Sequence, residues 1–372
     1  MKTIINIFIF CLILFIYLHI QYHLKTSNDL EIYEIEQPSK QKFEEICDIR
    51  QPTIFHFNNT NLVNETNITN ILNKYYAFDM KIRNINDIHK KEEETYMPLP
   101  LHSLNKLLTD DKSASYFSEN NSDFLKETGV AKVFKYNDDF FRPHMVSNCY
   151  YDILRGSDKC YTPFRYEINY RNFFMPTQGT VKIKLAPPKS IKYLFPNYDY
   201  ENFEFSSPIN PWNVQPQYSS EFDKVKCLEF DLNVGCTLFI PPYWWYSIQF
   251  SENSSLSIMK YRTYMNNITI TPYIFMYALQ VQNIRRKSNN VKKMAMESNN
   301  SENNELLNIN SNTNSNTNTN INSNSNTNIN TNLQENIESS GNNINNENNI
   351  NNENNINNEN NINNENNIEP YQ

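Results

Sequence analysis

The sequence predicts a mainly β domain with flanking helices, an apolar helix before it and a disordered tail after it. Residues 162–258 consist of short aromatic and β-branched runs separated by Pro and Asn clusters, which is typical of a β-barrel or β-sandwich. Residues 4–20 are almost entirely apolar, and Asn, Ser and Thr dominate the chain beyond residue 288. We therefore divide the 372 residues into a membrane segment (1–21), a stalk (22–49), a folded domain (50–287) and an Asn-rich low-complexity tail (288–372).

Charge and cysteine content exclude two classes of function. The formal net charge is -8 and no basic stripe covers the body, so we expect no nucleic-acid partner. The chain has no CxxC pair, so we expect no zinc site. In an oxidising compartment, the five cysteines of the body allow one or two disulfides whose pairing the sequence leaves open. The six cysteines of the whole chain are Cys11, Cys47, Cys149, Cys160, Cys227 and Cys236.

Residues 4–20, IINIFIFCLILFIYLHI, have about the minimum length for a helix that crosses ~30 Å of hydrocarbon. A cleaved signal peptide is the alternative, but residues 20–24 include no small residue of the kind that cleavage requires. We therefore predict an uncleaved signal anchor in a single-pass membrane protein. Glycosylation sequons favour a lumenal or extracellular body and a glycoprotein. They occur at Asn58, Asn64, Asn67, Asn120, Asn253 and Asn267.

Four further elements are predicted outside the β-rich region. Residues 51–57 resemble a strand, and residues 99–108 show helical apolar spacing after a proline. Residues 131–141 alternate in the manner of a strand. A helix over residues 272–287 has Pro at its first position, and Thr271 is expected to cap it. Its apolar part is too short to span a bilayer, so we expect a packing helix and a candidate homodimer interface.

The tail contains four copies of NNENNI between residues 345 and 368. One Ile in six residues cannot fill the interior of a hexad β-helix. Because so few apolar residues cannot offset the entropy of ordering, we predict disorder. Asn-rich tracts can also self-associate through ladders of side chains.

Residues 228–246, LEFDLNVGCTLFIPPYWWY, predict a strand, a tight turn at Gly235, a second strand and a proline-stiffened turn. By itself this pattern is typical of any aromatic-rich β core. It resembles the motif L-x-x-G-D-x-L-x-I-P-x-x-W-W-H of cupin-like (JmjC-type) 2-oxoglutarate oxygenases. These enzymes are relatives of the asparaginyl hydroxylase that acts on hypoxia-inducible factor.

Four upstream segments resemble the same family, in its order, over about 85 residues. Residues 162–167 (TPFRYE) match T-P-x-H-x-D, and residues 172–174 match N-F-F. Residues 179–188 (GTVKIKLAPP) match G-x-K-x-x-x-L-x-P-P, and residues 193–196 (YLFP) match x-L-Y-P. The resemblance implies a double-stranded β-helix, the cupin-like jelly roll, within the folded domain.

The resemblance also implies an Fe(II) site built from two His and one carboxylate, at Arg165, Glu167 and Tyr246 in this chain. Glu167 can still ligate a metal. Arg165 cannot, because a guanidinium has no free lone pair and stays protonated. Tyr246 is a poor substitute, because its phenol must first lose a proton with a pKa of about 10. We therefore expect no catalytic residue and no resident metal at these positions.

The family's 2-oxoglutarate site corresponds to Thr162, Asn172 and Val181, with Val181 in place of a carboxylate-binding Lys. Lys182 is adjacent, but strand alternation directs it to the opposite face. Thr162 and Asn172 persist, although hydrogen bonding within the barrel also explains them. We expect no cofactor, and Fe(II) with 2-oxoglutarate only if the family activity survives.

Arg165 and Glu167 lie two residues apart on a predicted strand and therefore share a face. We hypothesise that they form an ion pair that fills the space of the metal, with the Tyr246 hydroxyl opposite. The histidines of the body do not offer replacement ligands, because they precede the β motifs and lack ligand-like spacing. They are His56, His89, His102 and His144.

These features predict a membrane-anchored, catalytically inactive cupin-like protein, a pseudoenzyme that acts as a binding or scaffold module for an unknown protein partner. One alternative is an Fe(II)/2-oxoglutarate-dependent protein hydroxylase with atypical ligands. Another is a glycosylated surface or envelope structural protein. Because one fold supports many functions, the ligand must be inferred from the site.

Overall fold

The computed structural model describes residues 1–57, 59–88 and 96–283. The α-helices are α1 (Lys2–Leu24), α2 (Lys40–Ile49), α3 (Thr60–Thr66), α4 (Ile68–Tyr75), α5 (Leu101–Asp110), α6 (Ser122–Glu127), α7 (Val130–Asn137), α8 (Ser219–Phe222) and α9 (Tyr264–Thr269). Residues 271–283 are also helical. Short 3-10 helices occupy Ile85–Asp87, Pro188–Tyr193 and Pro216–Tyr218.

Most of the strands follow α7 and precede α9 in the chain. They are β1 (Tyr33–Glu36), β2 (Thr53–His56), β3 (Asp79–Asn84), β4 (Met97–Pro100), β5 (Tyr116–Ser118), β6 (Val146–Gly156), β7 (Phe164–Tyr166), β8 (Arg171–Gln178), β9 (Thr180–Ala186), β10 (Asn197–Asp199), β11 (Glu204–Ser207), β12 (Leu228–Asn233), β13 (Cys236–Ile240), β14 (Trp245–Phe250) and β15 (Ser255–Thr263).

Within the described residues these strands form two sheets. The larger has the order β1-β2-β13-β8-β15-β6-β5-β3-β4, and the smaller has the order β10-β11-β7-β14-β9-β12. Neighbouring strands are antiparallel except for β1 and β2, which are parallel. This arrangement confirms the predicted mainly β fold with flanking helices.

The space between the sheets is filled by apolar side chains from both of them. On β9, Val181, Ile183 and Leu185 are buried while Lys182 is exposed, because successive side chains of a strand point to opposite faces. They join Phe174 of β8 and Leu238 of β13 in one cluster. Full burial of each such side chain contributes about 1.5–3 kcal/mol, so this cluster stabilises the pairing of the two sheets.

The segment 228–246 folds as predicted, with one difference in how its strands pair. A turn with Gly235 at φ 94° joins β12 to β13, and residues 241–244 then lead into β14. Only glycine adopts such a positive φ without strain. However, β12 lies in the smaller sheet and β13 in the larger one. The turn at Gly235 is therefore a corner between the sheets and not a hairpin.

The predicted stalk is wrong for residues 33–49. β1 pairs with β2 in parallel, and α2 inserts Phe43, Ile46 and Cys47 into the core. Ser39 caps α2 by accepting a hydrogen bond from the backbone N–H of Lys42 at 3.3 Å. Three apolar residues at i, i+3 and i+4 form the buried face of this helix, and the otherwise polar composition of the segment hides that pattern.

The strand predicted over residues 131–141 is also wrong, because α7 occupies most of it. Val130 and Phe134 are buried, four residues apart on one face of that helix. The strand over residues 51–57 and the helix over residues 99–108 are confirmed as β2 and α5.

The predicted C-terminal helix is present from residue 271 to residue 283. Thr271 does not cap it, because its hydroxyl donates to the carbonyl of Asn267 at 3.1 Å. Residues 284–287 lie outside the described part of the chain. The same holds for Asn58, His89 and the predicted tail 288–372.

Helix α1 is long and apolar enough to cross a membrane, with a mean hydropathy of 2.5. Its apolar side chains are exposed along most of its length. Its C-terminal end contacts the body, where the His23 ring lies 5.1 Å from the ring of Tyr170 and Arg50 lies 5.5 Å from the ring of Tyr22. The six cysteines carry free thiols.

The packing of α2 makes a prediction about stability. Phe43 contacts the rings of Phe55, Phe140 and Phe173, so Phe43→Ala should lower the free energy of unfolding by about 3–5 kcal/mol. Chemical denaturation of the full chain in detergent measures this value. Ile49→Ala, on the same helix but 50% exposed, is the control and should change it by less than about 0.5 kcal/mol. Equal effects of the two substitutions would contradict the placement of α2 in the core.

Candidate functional site

The structure brings the three positions of the family metal triad together. Arg165 on β7 lies directly opposite Tyr246 on β14 in the strand register, and Glu167 follows β7. The Tyr246 hydroxyl donates a hydrogen bond to Oε1 of Glu167 at 2.9 Å. The Arg165 guanidinium lies 5.7 Å from the centre of the Tyr246 ring. Strand pairing therefore places all three side chains at one end of the barrel interior.

The hypothesised ion pair between Arg165 and Glu167 is wrong. Arg165 binds Glu119 through two parallel contacts, Nη2 to Oε2 at 2.6 Å and Nη1 to Oε1 at 3.2 Å. Glu167 binds Lys260 instead, at 2.6 Å from Nζ to Oε1. The reason is geometric, because Glu119 presents both carboxylate oxygens to the planar guanidinium and such bidentate pairs are the strong ones.

Two further charged residues extend this network. Nη1 of Arg83 on β3 lies 2.7 Å from Oε1 of Glu119 and 3.0 Å from Oε2 of Glu204 on β11. The hydroxyl of Tyr96 donates to Glu119 at 3.1 Å. We call the whole set the charge cluster. It comprises Arg83, Tyr96, Glu119, Arg165, Glu167, Glu204, Tyr246 and Lys260, in which three cations face three carboxylates.

The pKa values of Glu119, Glu167 and Tyr246 determine which of these side chains are charged at neutral pH. Burial alone raises the pKa of Glu119, but Arg165 and Arg83 outweigh it and hold the pKa below its usual range. Burial likewise acts on Glu167, and Lys260 with Arg165 brings its pKa below the ordinary value. Burial raises the pKa of the Tyr246 phenol well above its ordinary value, and Arg165 opposes this only in part. At neutral pH Glu119 and Glu167 are therefore ionised, and Tyr246 is a protonated hydrogen-bond donor.

The side chains at the triad positions do not fit an Fe(II) ion. A guanidinium occupies one position and cannot donate a lone pair, and a protonated phenol occupies another. Both oxygens of the carboxylate are already used, Oε1 by Lys260 and Tyr246 and Oε2 by Asn169 at 3.1 Å. Among the residues with described positions, no group of three or more His, Cys, Asp and Glu side chains is placed to hold a metal.

The side chains at the positions that correspond to the cosubstrate site form hydrogen bonds or apolar contacts within the two sheets. The Thr162 hydroxyl accepts a hydrogen bond from the backbone N–H of Ile248 at 3.0 Å, and Asn172 donates to the carbonyl of Ile240 at 3.1 Å. Val181 is fully buried among apolar side chains. These contacts give Thr162 and Asn172 a structural role within the two sheets.

The charge cluster borders a cavity of 560 Å³. Its lining combines charged side chains of both signs with aromatic rings. Arg262 on β15 lies 5.2 Å from the ring of Tyr150 and 4.8 Å from the ring of Phe203, and its Nε donates to Asn169 at 2.6 Å. It forms no ion pair with a carboxylate of the described residues. Such a lining suits a polar ligand, because an apolar group bound there would remove the Arg262 guanidinium from water without giving it a hydrogen-bond partner.

The described histidines lie away from the charge cluster. The His56 ring contacts Oε1 of Glu34 at 2.7 Å and Sγ of Cys236 at 3.5 Å, at the edge of the larger sheet. His102 bonds to the carbonyl of Tyr76 at 3.1 Å. His144 borders a separate cavity with His23. Of the described histidines, His56, His102 and His144 are not among the residues that line the cavity beside the charge cluster.

The sequence did not single out Arg83, Glu119, Glu204 or Lys260. A signal existed for two of them, because Arg83 and Lys260 interrupt otherwise strand-like runs, in β3 and in the apolar stretch of β15. A charge in such a run usually has a partner. Glu119 gave no comparable signal, since it lies in a short polar connection after β5.

The bidentate pair predicts the stability of a Glu119 variant. Glu119→Ala leaves Arg165 buried without its partner and should cost about 3–5 kcal/mol of unfolding free energy, measured by chemical denaturation at pH 7. Because the folded-state pKa of Glu119 is depressed, this contribution is present above the unfolded-state pKa of about 4.3 and is lost as the pH falls through the lower folded value. Glu127→Ala, exposed on α6, is the control. A similar small effect of both would refute the role of Glu119.

Comparison with known proteins agrees with the cupin-like fold. A family model described as "Cupin-like domain" matches residues 55–267. The chain is 28% identical to HSPB1-associated protein 1 of Mus musculus, Rattus norvegicus and Bos taurus over 104 residues. These residues are 28% of this chain and 22% of each relative, so the chain spans about a fifth of the length of the curated relatives it matches. More than half of the chain matches the family model, and the protein therefore belongs to the cupin-like domain family.

Proposed function

We propose that this protein is a membrane-anchored cupin-like module that binds a ligand or partner without iron-dependent catalysis. The charge cluster is the observation that carries the proposal. At the positions that correspond to the family's metal ligands, Arg165 is paired with Glu119, and Glu167 is paired with Lys260. A metal ion entering there would meet two positive side chains and a carboxylate that has no free oxygen.

An oxygenase with atypical ligands is disfavoured by the cost of rearrangement. Freeing Glu167 for a metal requires breaking its contact with Lys260, which leaves a buried cation unpaired. Tyr246 would also have to lose a proton whose pKa burial raises well above its ordinary value. Both steps oppose metal binding, so we infer that the cavity functions without a metal.

The cavity supports a binding role through its chemistry. Arg262 is held by two aromatic rings and by Asn169, so its terminal nitrogens are oriented but have no protein partner among the described residues. An oriented guanidinium is a preorganised donor for a carboxylate or phosphate group. Tyr150, Tyr151 and Tyr277 line the same cavity and offer surfaces for stacking. We infer a polar ligand that carries at least one anionic group.

Membrane anchoring is supported by the exposed apolar surface of α1. This helix has 23 residues and extends about 35 Å at 1.5 Å per residue, which is enough for the hydrocarbon core. A lumenal or extracellular body is supported by exposed sequons at Asn64 and Asn253. The side chains of Asn67 and Asn120 donate hydrogen bonds to Thr177 and Tyr96, so these two are poorer glycan acceptors.

Metal titration tests the catalytic half of the proposal. The full chain, purified anaerobically in detergent, should bind neither Fe(II) nor Mn(II) stoichiometrically, with or without 2-oxoglutarate. Thermal unfolding and the metal content after desalting are the two readouts. Stoichiometric metal that disappears in Glu167→Gln would overturn the proposal and indicate an oxygenase with unfamiliar ligands.

Membrane extraction tests the anchor. The full chain should stay with membranes at alkaline pH, and its intact mass should retain residues 1–21. The double substitution Ile9→Lys and Ile13→Lys should release it, because each central lysine costs about 2.5–3.5 kcal/mol in a bilayer. Replacing the same two residues by Leu is the control and should leave the protein in the membrane. A soluble mature chain that begins after residue 20 would show a cleaved signal peptide instead.

A further inference from the structure

Another buried arginine, Arg155 on β6, pairs with Ser118 of β5 in the strand register, but it lines a different cavity from the charge cluster. Arg155, near the end of β6, is 2% exposed. Its side chain has one hydrogen bond, from Nη2 to Oδ1 of Asn105 at 2.9 Å. Nε and Nη1 are buried and have no hydrogen-bond partner in the part of the chain that the structure describes. No carboxylate among the described residues forms an ion pair with it, so the guanidinium carries an uncompensated charge.

Burial is the one cause that acts on the pKa of Arg155, which it lowers to about 10. No neighbouring anion counters it, in contrast to Arg83 and Arg165, whose pKa values nearby carboxylates raise. At neutral pH Arg155 is nevertheless charged. A buried charge without a partner is costly for a fold. An anion bound close to it would remove most of that cost.

Arg155 lines a cavity of 330 Å³ that is formed where three connections meet. Residues 108–114 include the end of α5 and the connection after it, residues 156–159 include the end of β6 and the connection after it, and residues 252–253 join β14 to β15. Lys112 and Lys159 add two exposed cations at its rim. The cavity is large enough for a small oxyanion.

The acidic side chains around this cavity do not neutralise Arg155. Asp111 is committed elsewhere, because it accepts hydrogen bonds from the backbone N–H groups of Ser115 and Tyr116 at 2.8 and 3.1 Å and from the Ser157 hydroxyl at 2.7 Å. Asp158 and Glu252 are exposed at the rim, where solvent and salt screen their charges.

We propose that the cavity beside Arg155 is a second binding site, which takes a small oxyanion such as phosphate or the phosphate group of a larger molecule. Arg155 supplies the buried positive charge, and Lys112 and Lys159 attract the anion to the entrance. The site is independent of the charge cluster and of the ligand inferred for the larger cavity.

Inorganic phosphate is the probe for this site. In the full chain in detergent, at constant ionic strength, phosphate should raise Tm saturably, by about 3–6 °C at ten times Kd. Equilibrium dialysis with radiolabelled phosphate should find one ion bound per chain. Arg155→Met should lose both effects, and in phosphate-free buffer its Tm should equal or exceed that of the unmodified protein. Lys226→Met, which removes an exposed charge elsewhere, is the matched control and should behave like the unmodified chain.

A second variant keeps the test decisive if Arg155→Met fails to fold. The double substitution Lys112→Gln and Lys159→Gln leaves the buried charge in place and should weaken phosphate binding several-fold. The proposal is overturned if the unmodified chain binds no phosphate in dialysis at millimolar concentration. Undiminished binding in Arg155→Met, or in the lysine double variant when Arg155→Met does not fold, would also overturn it.

Discussion

The pocket end of the barrel is organised around the bidentate ion pair between Arg165 and Glu119. Arg165 comes from β7 of the smaller sheet, whereas Glu119 follows β5 of the larger sheet, so the pair connects the two sheets across the interior. Once a guanidinium occupies this buried position, a carboxylate must face it, because an unpaired charge in a protein interior is costly. Glu119 also holds Arg83, which in turn contacts Glu204. The Glu119 carboxylate, which follows β5, thereby connects side chains of β3 and β7 directly and a side chain of β11 through Arg83.

The same network accounts for the chemistry of the site. In a metal-binding member of the family, positive charge at this place is supplied by the ion, and here Arg165 and Lys260 supply it from the protein. Glu167 keeps a cationic partner, and Tyr246 adds a hydrogen bond to it. Buried ion pairs add little net stability compared with apolar packing, so their value is in specifying one arrangement. Side chains of the charge cluster therefore form a charged part of the lining of the 560 Å³ cavity.

Arg155 shows the opposite situation within the same fold. It is as deeply buried as Arg165, yet among the described residues its one hydrogen-bond partner is the neutral amide of Asn105. Both terminal nitrogens of Arg165 are committed to the Glu119 carboxylate, at a position that corresponds to a metal ligand of the family. Arg155 lacks any such commitment, so it leaves a site open to an anion from outside. Whether a buried cation blocks or creates a binding site thus depends on where the nearest carboxylate lies.

The sequence by itself determined the family, the turn at Gly235 and the residue types at the three positions that correspond to the family's metal ligands. These follow from local order and residue type, because a guanidinium cannot ligate a metal in any context. Tertiary structure decided the rest. The partner of Arg165 is 46 residues away and that of Glu167 is 93 residues away, and strand order alone brings them together. Residues 33–49 and 131–141 were misassigned for a related reason, since which apolar side chains become buried depends on the surfaces that the rest of the chain provides.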